Sequence, residues 1–263
     1  MVGTRKIIRL AVTESTNSAA LEAGQQGAAP GTVIVAEAQT AGRGRLNRSW
    51  LSPPGMGLYF SLLLRPELAP EELPKITLVA GLAVCRTVET EYNILPKIKW
   101  PNDLLLAGRK FGGILTETGA VVNAAPGQKP FVVVGVGLNL FLPEEGFPPE
   151  LQGSATSLAS HVDRKISAET LLETCVSAIE TEIRRLEKGE FASILKEWSR
   201  RDGVYGKVLT WVAPHGKPVT GVSLGPGPDG ILRIRDEAGV VHEVISGDLS
   251  LVDASSENIL SSL

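Results

Sequence analysis

Gly42-Arg43-Gly44-Arg45-Leu46-Asn47-Arg48-Ser49-Trp50 is the stretch on which the reading of this chain turns. Three arginines fall within six residues, the first two set among glycines. Guanidinium forks bind carboxylate and phosphate bidentately, and glycine lets the backbone come close to what they hold. Taken alone, the stretch reads equally as a site for an anionic ligand, a solvated turn, or an RNA-contacting arginine run. It follows a β-branched strand, Thr32–Ala38, and runs into a Pro53-Pro54-Gly55 turn, so it is a loop between two strands.

Outward from that loop, Ile7–Val12 and Gly57–Leu64 read as strands. Ser15-Thr16-Asn17 supply capping residues for a helix that Gly24 and Gly27 would stop. Glu71–Tyr92 carries Leu73, Ile76, Val79, Ala80, Ala83, Val84 and Val88 near helical spacing. Lys97–Trp100, Leu104–Ala107 and Lys110–Thr118 predict short strands, with turns at Pro101-Asn102-Asp103 and Gly108. Phe131–Leu138 is apolar enough to be buried on both faces. A second long helix starts near Ser167, with Leu171, Leu172, Cys175, Ile179, Ile183 and Leu186 as its stripe and Gly189 as its end; Glu190–Arg201 follows as another.

After Asp202-Gly203 the pattern changes to four short strands separated by glycine-rich turns: Val208–Val212, Pro218–Leu224, Ile231–Arg235 and Val240–Ile245. They predict a small β-barrel module. The expected division is a catalytic domain over 1–203, a β-domain over 204–253 and a frayed tail over 254–263.

Composition narrows the classes. The chain has 263 residues, 43% hydrophobic and 21% charged, which suits a globular protein with a sizeable core. A net charge of −3 argues against a broad basic face for nucleic acid. Cys85 and Cys175 sit in apolar helical stretches and read as buried small hydrophobes. His161, His215 and His242 stand singly, so no zinc spacing is present. No apolar run reaches roughly 18 residues and no signal-peptide block opens the chain, so a cytoplasmic protein without a membrane span is expected. Gly225–Gly230 satisfies GxGxxG, yet a strand follows it where a dinucleotide site needs a helix, so it reads as a hairpin turn.

Three further segments could carry chemistry. Lys99-Trp100-Pro101-Asn102-Asp103 gathers a lysine, an amide and a carboxylate that could meet phosphate and Mg²⁺, although Pro-Asn-Asp is also ordinary turn chemistry. Lys110-Phe111-Gly112-Gly113-Ile114-Leu115 could hold an ammonium over a ligand, or simply place a lysine on an edge strand. Gly135-Val136-Gly137-Leu138-Asn139 puts glycines in a strand, which marks either close ligand approach or tight packing.

Ser15-Thr16-Asn17, GRGRxxRxW, KWPND, KxxGIL and GxGxN, in this order from about residue 7 to residue 251, resemble the biotin–protein ligase family. Gly206-Lys207 and Ser246–Leu251 echo its small C-terminal domain. The resemblance implies an α+β fold: a mixed, largely antiparallel sheet with flanking helices, like the class II aminoacyl-tRNA synthetase and biotin ligase catalytic domain, plus an SH3-like β-barrel. It implies a ligase that makes biotinyl-5′-AMP from biotin and ATP with Mg²⁺. Biotin then passes to a lysine of a biotin carrier protein, such as that of acetyl-CoA carboxylase.

By the same resemblance Ser15, Thr16 and Asn17 contact the ureido ring and Gln39 is another contact to biotin, while Arg43, Gly44 and Arg45 cover biotin and its adenylate. Lys110 meets the biotin carboxylate and the reacting α-phosphate, and Gly113 lines the same pocket; Lys110 and Arg45 are the catalytic candidates. Arg48, Trp50, Asn102 and Asn139 face the nucleotide, with Asp103 near Mg²⁺. Leu46-Asn47 departs from relatives whose loop is more basic or richer in glycine, which puts retention of the adenylate in question. Ordering the nine loop residues costs on the order of 10–15 kcal/mol in backbone entropy, so a lid that is mobile until ligand binds is expected.

Three competing readings are a lipoate–protein ligase, a biotin-responsive repressor and a silent biotin-binding module. The Ser-Thr-Asn cluster and GRGR count against the first. About a dozen residues precede Ser15, too few for a DNA-binding domain, so no DNA partner is expected. The intact Lys110, Arg45 and KWPND count against the third. Monomer and homodimer remain equally open from the residues.

Overall fold

The computed structural model describes residues 5–120, 130–143, 145–212, 218–245 and 247–251, so the expected tail at 254–263 lies outside it. Seven strands form the larger sheet: β1 Ile7–Thr13, β2 Val33–Gln39, β3 Gly57–Leu64, β4 Lys97–Lys99, β5 Asp103–Leu106, β6 Arg109–Gly119 and β7 Phe131–Asn139. Their order is β1-β2-β3-β7-β6-β5-β4. Only β1 and β2 run parallel, and every other neighbouring pair is antiparallel. The α+β class and the mixed, largely antiparallel sheet are therefore present.

Side chains on a strand alternate between faces, and here the two faces do different work. Val132, Val134 and Val136 of β7, with Leu58, Phe60 and Leu62 of β3, join the main core under α2 (Lys75–Tyr92) and α3 (Ala168–Glu187). Phe131 and Val133 instead join Ala20, Ile34 and Leu63 in a smaller core under α1 (Thr16–Gln25). This explains why β7 is apolar on both faces although its neighbours are antiparallel. Further along the α1 face the apolar side chains give way to Ser61, Gly135 and Gly137, and there the cavity opens.

Helix ends differ in detail from the expected ones. The long helix starts at Lys75, preceded by a separate 3-10 turn at Pro70–Glu72 that opens on a proline. Ser15 occupies the N-cap position of α1, yet its side chain makes no capping hydrogen bond. Gly24 does not stop the helix: a Cβ there would lie 2.3 Å from the Phe131 ring, so this glycine admits the aromatic side chain. Gly27, at φ +86°, makes the stop. The expected start of α3 near Ser167 is borne out, and there the serine does cap, accepting from the Thr170 N–H at 3.2 Å. A last helix, α4 (Phe191–Ser199), buries Phe191, Ile194 and Trp198.

The second sheet has five strands where four were expected: β8 Val208–Val212, β9 Val219–Pro226, β10 Leu232–Arg235, β11 Val241–Val244 and β12 Asp248–Leu251. The order β11-β10-β9-β8-β12 is antiparallel throughout. Among the described residues the pairing does not return from β12 to β11. The missed strand, β12, is short and interrupted by serine, so it offers little periodic signal. The hairpin turn between β9 and β10 does fall in Gly225–Gly230, but Gly225 and Pro226 end β9 and the turn itself starts at Gly227, whose N–H donates to Ile231 O at 2.9 Å. Leu209, Leu232, Ile234, Val244 and Leu249 belong to the main core, so the two sheets share one apolar interior. Cys85 and Cys175 are buried, free thiols within it. Burial pushes the Cys175 thiol up to about 12.

Candidate active site

A cavity of about 620 Å³ opens on the α1 face of the large sheet. Its floor comes from β6 and β7, and glycines shape it. A Cβ at Gly135 would lie 2.0 Å from Asn17 Oδ1, and one at Gly137 would lie 2.6 Å from Trp50 Nε1. The glycines of β7 therefore make room for two side chains of this chain, and both glycines also line the cavity. Trp50 lies on that floor, with Lys110 Nζ 5.2 Å from its ring centre. Its Nε1 is buried and has no hydrogen-bond partner among the described residues.

At one end the start of α1 meets β2 and β3 in a neutral hydrogen-bond network. Gln39 Oε1 accepts from Thr16 N at 2.8 Å and from the Thr16 hydroxyl at 3.2 Å. Gln39 Nε2 donates to Ser52 Oγ at 2.8 Å, and Ser52 donates to Trp50 O at 3.2 Å. The Ser61 hydroxyl, fully buried on β3, lies 2.8 Å from Thr16 Oγ1 and 2.6 Å from Asn17 Oδ1. Buried polar groups must be paired, and these are.

The other end is charged. Among the described residues, Arg43, Arg45, Arg48, Lys99 and Lys110 line the cavity against a single carboxylate, Asp103. Lys110 Nζ sits 2.6 Å from Asp103 Oδ1. The β5–β6 hairpin brings the two together: Ala107 (φ +47°) and Gly108 (φ +78°) both take left-handed backbone at its two-residue turn. The Lys110 backbone is pinned as well, its N–H donating to Ser154 O at 2.7 Å and its carbonyl accepting from Thr156 N at 2.9 Å. Asn102 donates through Nδ2 to Ile114 O at 3.0 Å, and its Oδ1 accepts from Arg45 Nη1 at 3.4 Å. Asn139 Nδ2 donates to Thr156 O at 3.2 Å.

The arginine loop folds as a small hairpin. Arg43 and Ser49 form an isolated antiparallel bridge, Trp50 N donates to Gly42 O at 2.8 Å, and Gly44 N donates to Arg48 O at 2.7 Å. Leu46 (φ +55°) and Asn47 (φ +58°) make its tip in left-handed backbone, a conformation that costs a β-carbon-bearing residue energy. Leu46 is 52% exposed, so the tip presents an apolar side chain to solvent.

All fourteen residues singled out from the sequence line this one cavity: Ser15, Thr16, Asn17, Gln39, Arg43, Gly44, Arg45, Arg48, Trp50, Asn102, Asp103, Lys110, Gly113 and Asn139. Residues 10–139 match the Biotin/lipoate A/B protein ligase family. The chain is 32% identical over 257 residues to the biotin–[acetyl-CoA-carboxylase] ligase of Mycobacterium tuberculosis, covering 94% of this chain and 89% of that one. The chain belongs to this ligase family. The bifunctional ligase/repressor BirA of Bacillus spizizenii is 33% identical over 240 residues, covering 91% of this chain and 72% of the relative. The biotin protein ligase from Aquifex aeolicus in complex with biotin and ATP superposes with a TM-score of 0.80 at 29% identity, covering 95% of this chain and all of that one (100%).

Set against this ligase fold, the sequence reading missed contributors of three kinds. Ser52 and Ser61 complete the neutral network. Glu117 on β6 accepts from Asn17 and Arg43. Gly247, Leu249 and Leu251 bring the second sheet to the cavity wall. Lys99 Nζ donates to Leu249 O at 2.8 Å and Trp100 Nε1 to Gly230 O at 3.0 Å, so the KWPND segment ties the two sheets together. No single-strand pattern carries that information. Among the described residues, no group of three or more His, Cys, Asp or Glu is placed to hold a metal, and no helix is long and apolar enough to cross a membrane.

Proposed function

We propose that this protein is an ATP-dependent biotin–protein ligase. The observation that carries the reading is one cavity with a neutral, hydrogen-bonding end and a cationic end centred on Lys110. A ureido ring both donates and accepts, which suits Ser15, Thr16 and Gln39; lipoate has no such ring, and each buried group it left unpaired would cost roughly 1–3 kcal/mol. Asn17 has both amide hydrogens committed within the protein, so its part is to shape this end rather than to donate.

At the charged end a biotin carboxylate oxygen attacks the α-phosphorus of ATP, and the bond to the β-phosphate oxygen breaks to release pyrophosphate. Two anions must meet, and Lys110, Arg45 and Arg48 offset their repulsion and the charge that grows between them. Trp50, Asn102 and Asn139 flank the nucleotide, and Gly113 keeps the wall beside Lys110 clear. The carrier lysine's amine then attacks the acyl carbon, loses a proton and displaces AMP. Arg43, Gly44 and Arg45 belong to the lid that keeps water from the mixed anhydride meanwhile. Asp103 is one carboxylate already engaged with Lys110. It builds no resident metal site alone, so Mg²⁺ enters as part of the MgATP substrate, which supplies most of its oxygen ligands.

The acceptor is a biotin carrier domain. The second sheet acts as an SH3-like module over 204–253, joined after residue 203 to a catalytic unit over 1–203. Biotin-dependent pyrophosphate release from ATP tests the reading: the parent releases it with biotin and not with lipoate, and Lys110→Ala does not. Biotin binding without nucleotide consumption would overturn it.

A further inference from the structure

Glu117 leaves β6 on the cavity face, two residues beyond Leu115. Its Oε2 accepts from two groups in different parts of the site, Asn17 Nδ2 at 2.8 Å and Arg43 Nη2 at 2.7 Å. The other Asn17 N–H goes to Leu115 O at 3.1 Å, and Asn17 Oδ1 lies 2.6 Å from the Ser61 hydroxyl. Asn17 is therefore held in one orientation, with Glu117 as the single charged group holding it. Arg43 stands at the root of the loop, where the bridge to Ser49 closes the hairpin. On the loop's outer side a second hollow of about 530 Å³ is lined by Arg43, Arg45 and Arg48, with Glu117 as its one carboxylate. Glu117 thus lines the second hollow while bonding Asn17 and Arg43, which line the main cavity, and its side chain is only 25% exposed.

We propose that Glu117 is a positioning residue that joins recognition of the biotin ring to retention of the adenylate. The inference rests on the ligase reading above. One oxygen serving two donors couples them: the Asn17 bond keeps the start of α1 in its ring-binding form, and the Arg43 ion pair keeps the loop root on the ring side of the cavity. A loop anchored in advance loses less freedom on closing, so it closes more completely over the product. Without the carboxylate, Asn17 has an unpaired N–H beside the ring site and Arg43 has no anchor on the sheet.

The test separates the two tasks. Glu117→Ala should raise the biotin KM about tenfold, the loss expected for one charge-assisted hydrogen bond. It should also raise, by a similar factor, the adenylate lost to water and to lysines of an added bystander protein, counted per pyrophosphate released. Glu117→Gln keeps an acceptor oxygen for Asn17 and removes the charge. It should return the KM close to the parent's while leaking as much as Arg43→Ala. The double variant Arg43→Ala/Glu117→Gln should leak no more than Arg43→Ala alone, since both changes break one pair. Should Glu117→Ala fail to fold, the near-isosteric Gln variant decides. An active parent whose Glu117→Gln variant retains adenylate as well as it does, or a double variant whose leaks multiply, overturns the proposal alone. A parent that releases no pyrophosphate overturns the ligase reading and this proposal with it.

Discussion

At one end of the cavity Thr16, Asn17 and Ser61 are 4%, 3% and 0% exposed and bonded to one another, to Gln39 and, through Asn17, to Leu115 O and Glu117. At the other, the Lys110 and Asp103 side chains are 34% and 25% exposed and bonded chiefly to each other. The first end is carried by α1, β2 and β3, elements locked by two cores. The second is carried by a hairpin, a turn and the arginine loop. The difference suits what each end must do. A neutral ring is recognised by shape and by paired dipoles that need no rearrangement. Charged substrates bring their own counter-charges, so a lysine resting on an aspartate can exchange that partner for phosphate when substrate arrives.

The largest effect should come from the charged end. Lys110→Ala is expected to lower biotin-dependent pyrophosphate release by about a hundredfold or more, because its charge acts where charge develops. Biotin binding, measured by calorimetry without nucleotide, should weaken far less; equal losses in both would erase the contrast between the two ends. Next, Gly135→Ala should destabilise the protein by about 1–3 kcal/mol in denaturant melts and weaken biotin binding, since the new methyl would meet Asn17 Oδ1 at 2.0 Å. Gly44→Ala on the loop, whose nearest contact would be Arg48 O at 3.4 Å, should cost little stability. If the two alanines destabilise equally, the ring end is not the rigid one.

Trypsin cleavage after Arg43 or Arg45 should slow severalfold when biotin and ATP are present, as a closing lid requires; unchanged cleavage would mean that the hairpin is already as ordered as it becomes. The smallest effect should be Ser15→Ala on stability. An N-cap serine usually contributes about 1 kcal/mol, but Ser15 makes no capping bond, so the change should stay within about 0.5 kcal/mol while biotin affinity drops. A full capping loss would assign Ser15 to the helix rather than to the ligand.

Much of the site was legible before any coordinates because its residues cluster in short motifs. GRGRLNRSW, KWPND and KFGGIL each carry several site residues within a few positions, and local chain geometry delivers them together. Ser61 and Glu117 were not legible. Each is a lone polar residue on a strand, and its partners lie 44 to 100 residues away along the chain. Gly24 misled for a related reason: its neighbour, the Phe131 ring, comes from a strand far along the chain. β12 escaped because its pairing to β8, not its own pattern, makes it a strand.

Periodicity in the residues by themselves located most elements, because it is a local property, while the short motifs carried the resemblance to the ligase family that implied the α+β class and the side chains of the cavity. Only the tertiary structure decided that the β7 glycines seat Asn17 and Trp50, that Lys110 rests on Asp103, and that Glu117 links the ring end to the loop. Those are contacts across strands and between elements distant along the chain, and their energies depend on register and burial that no single stretch of sequence contains.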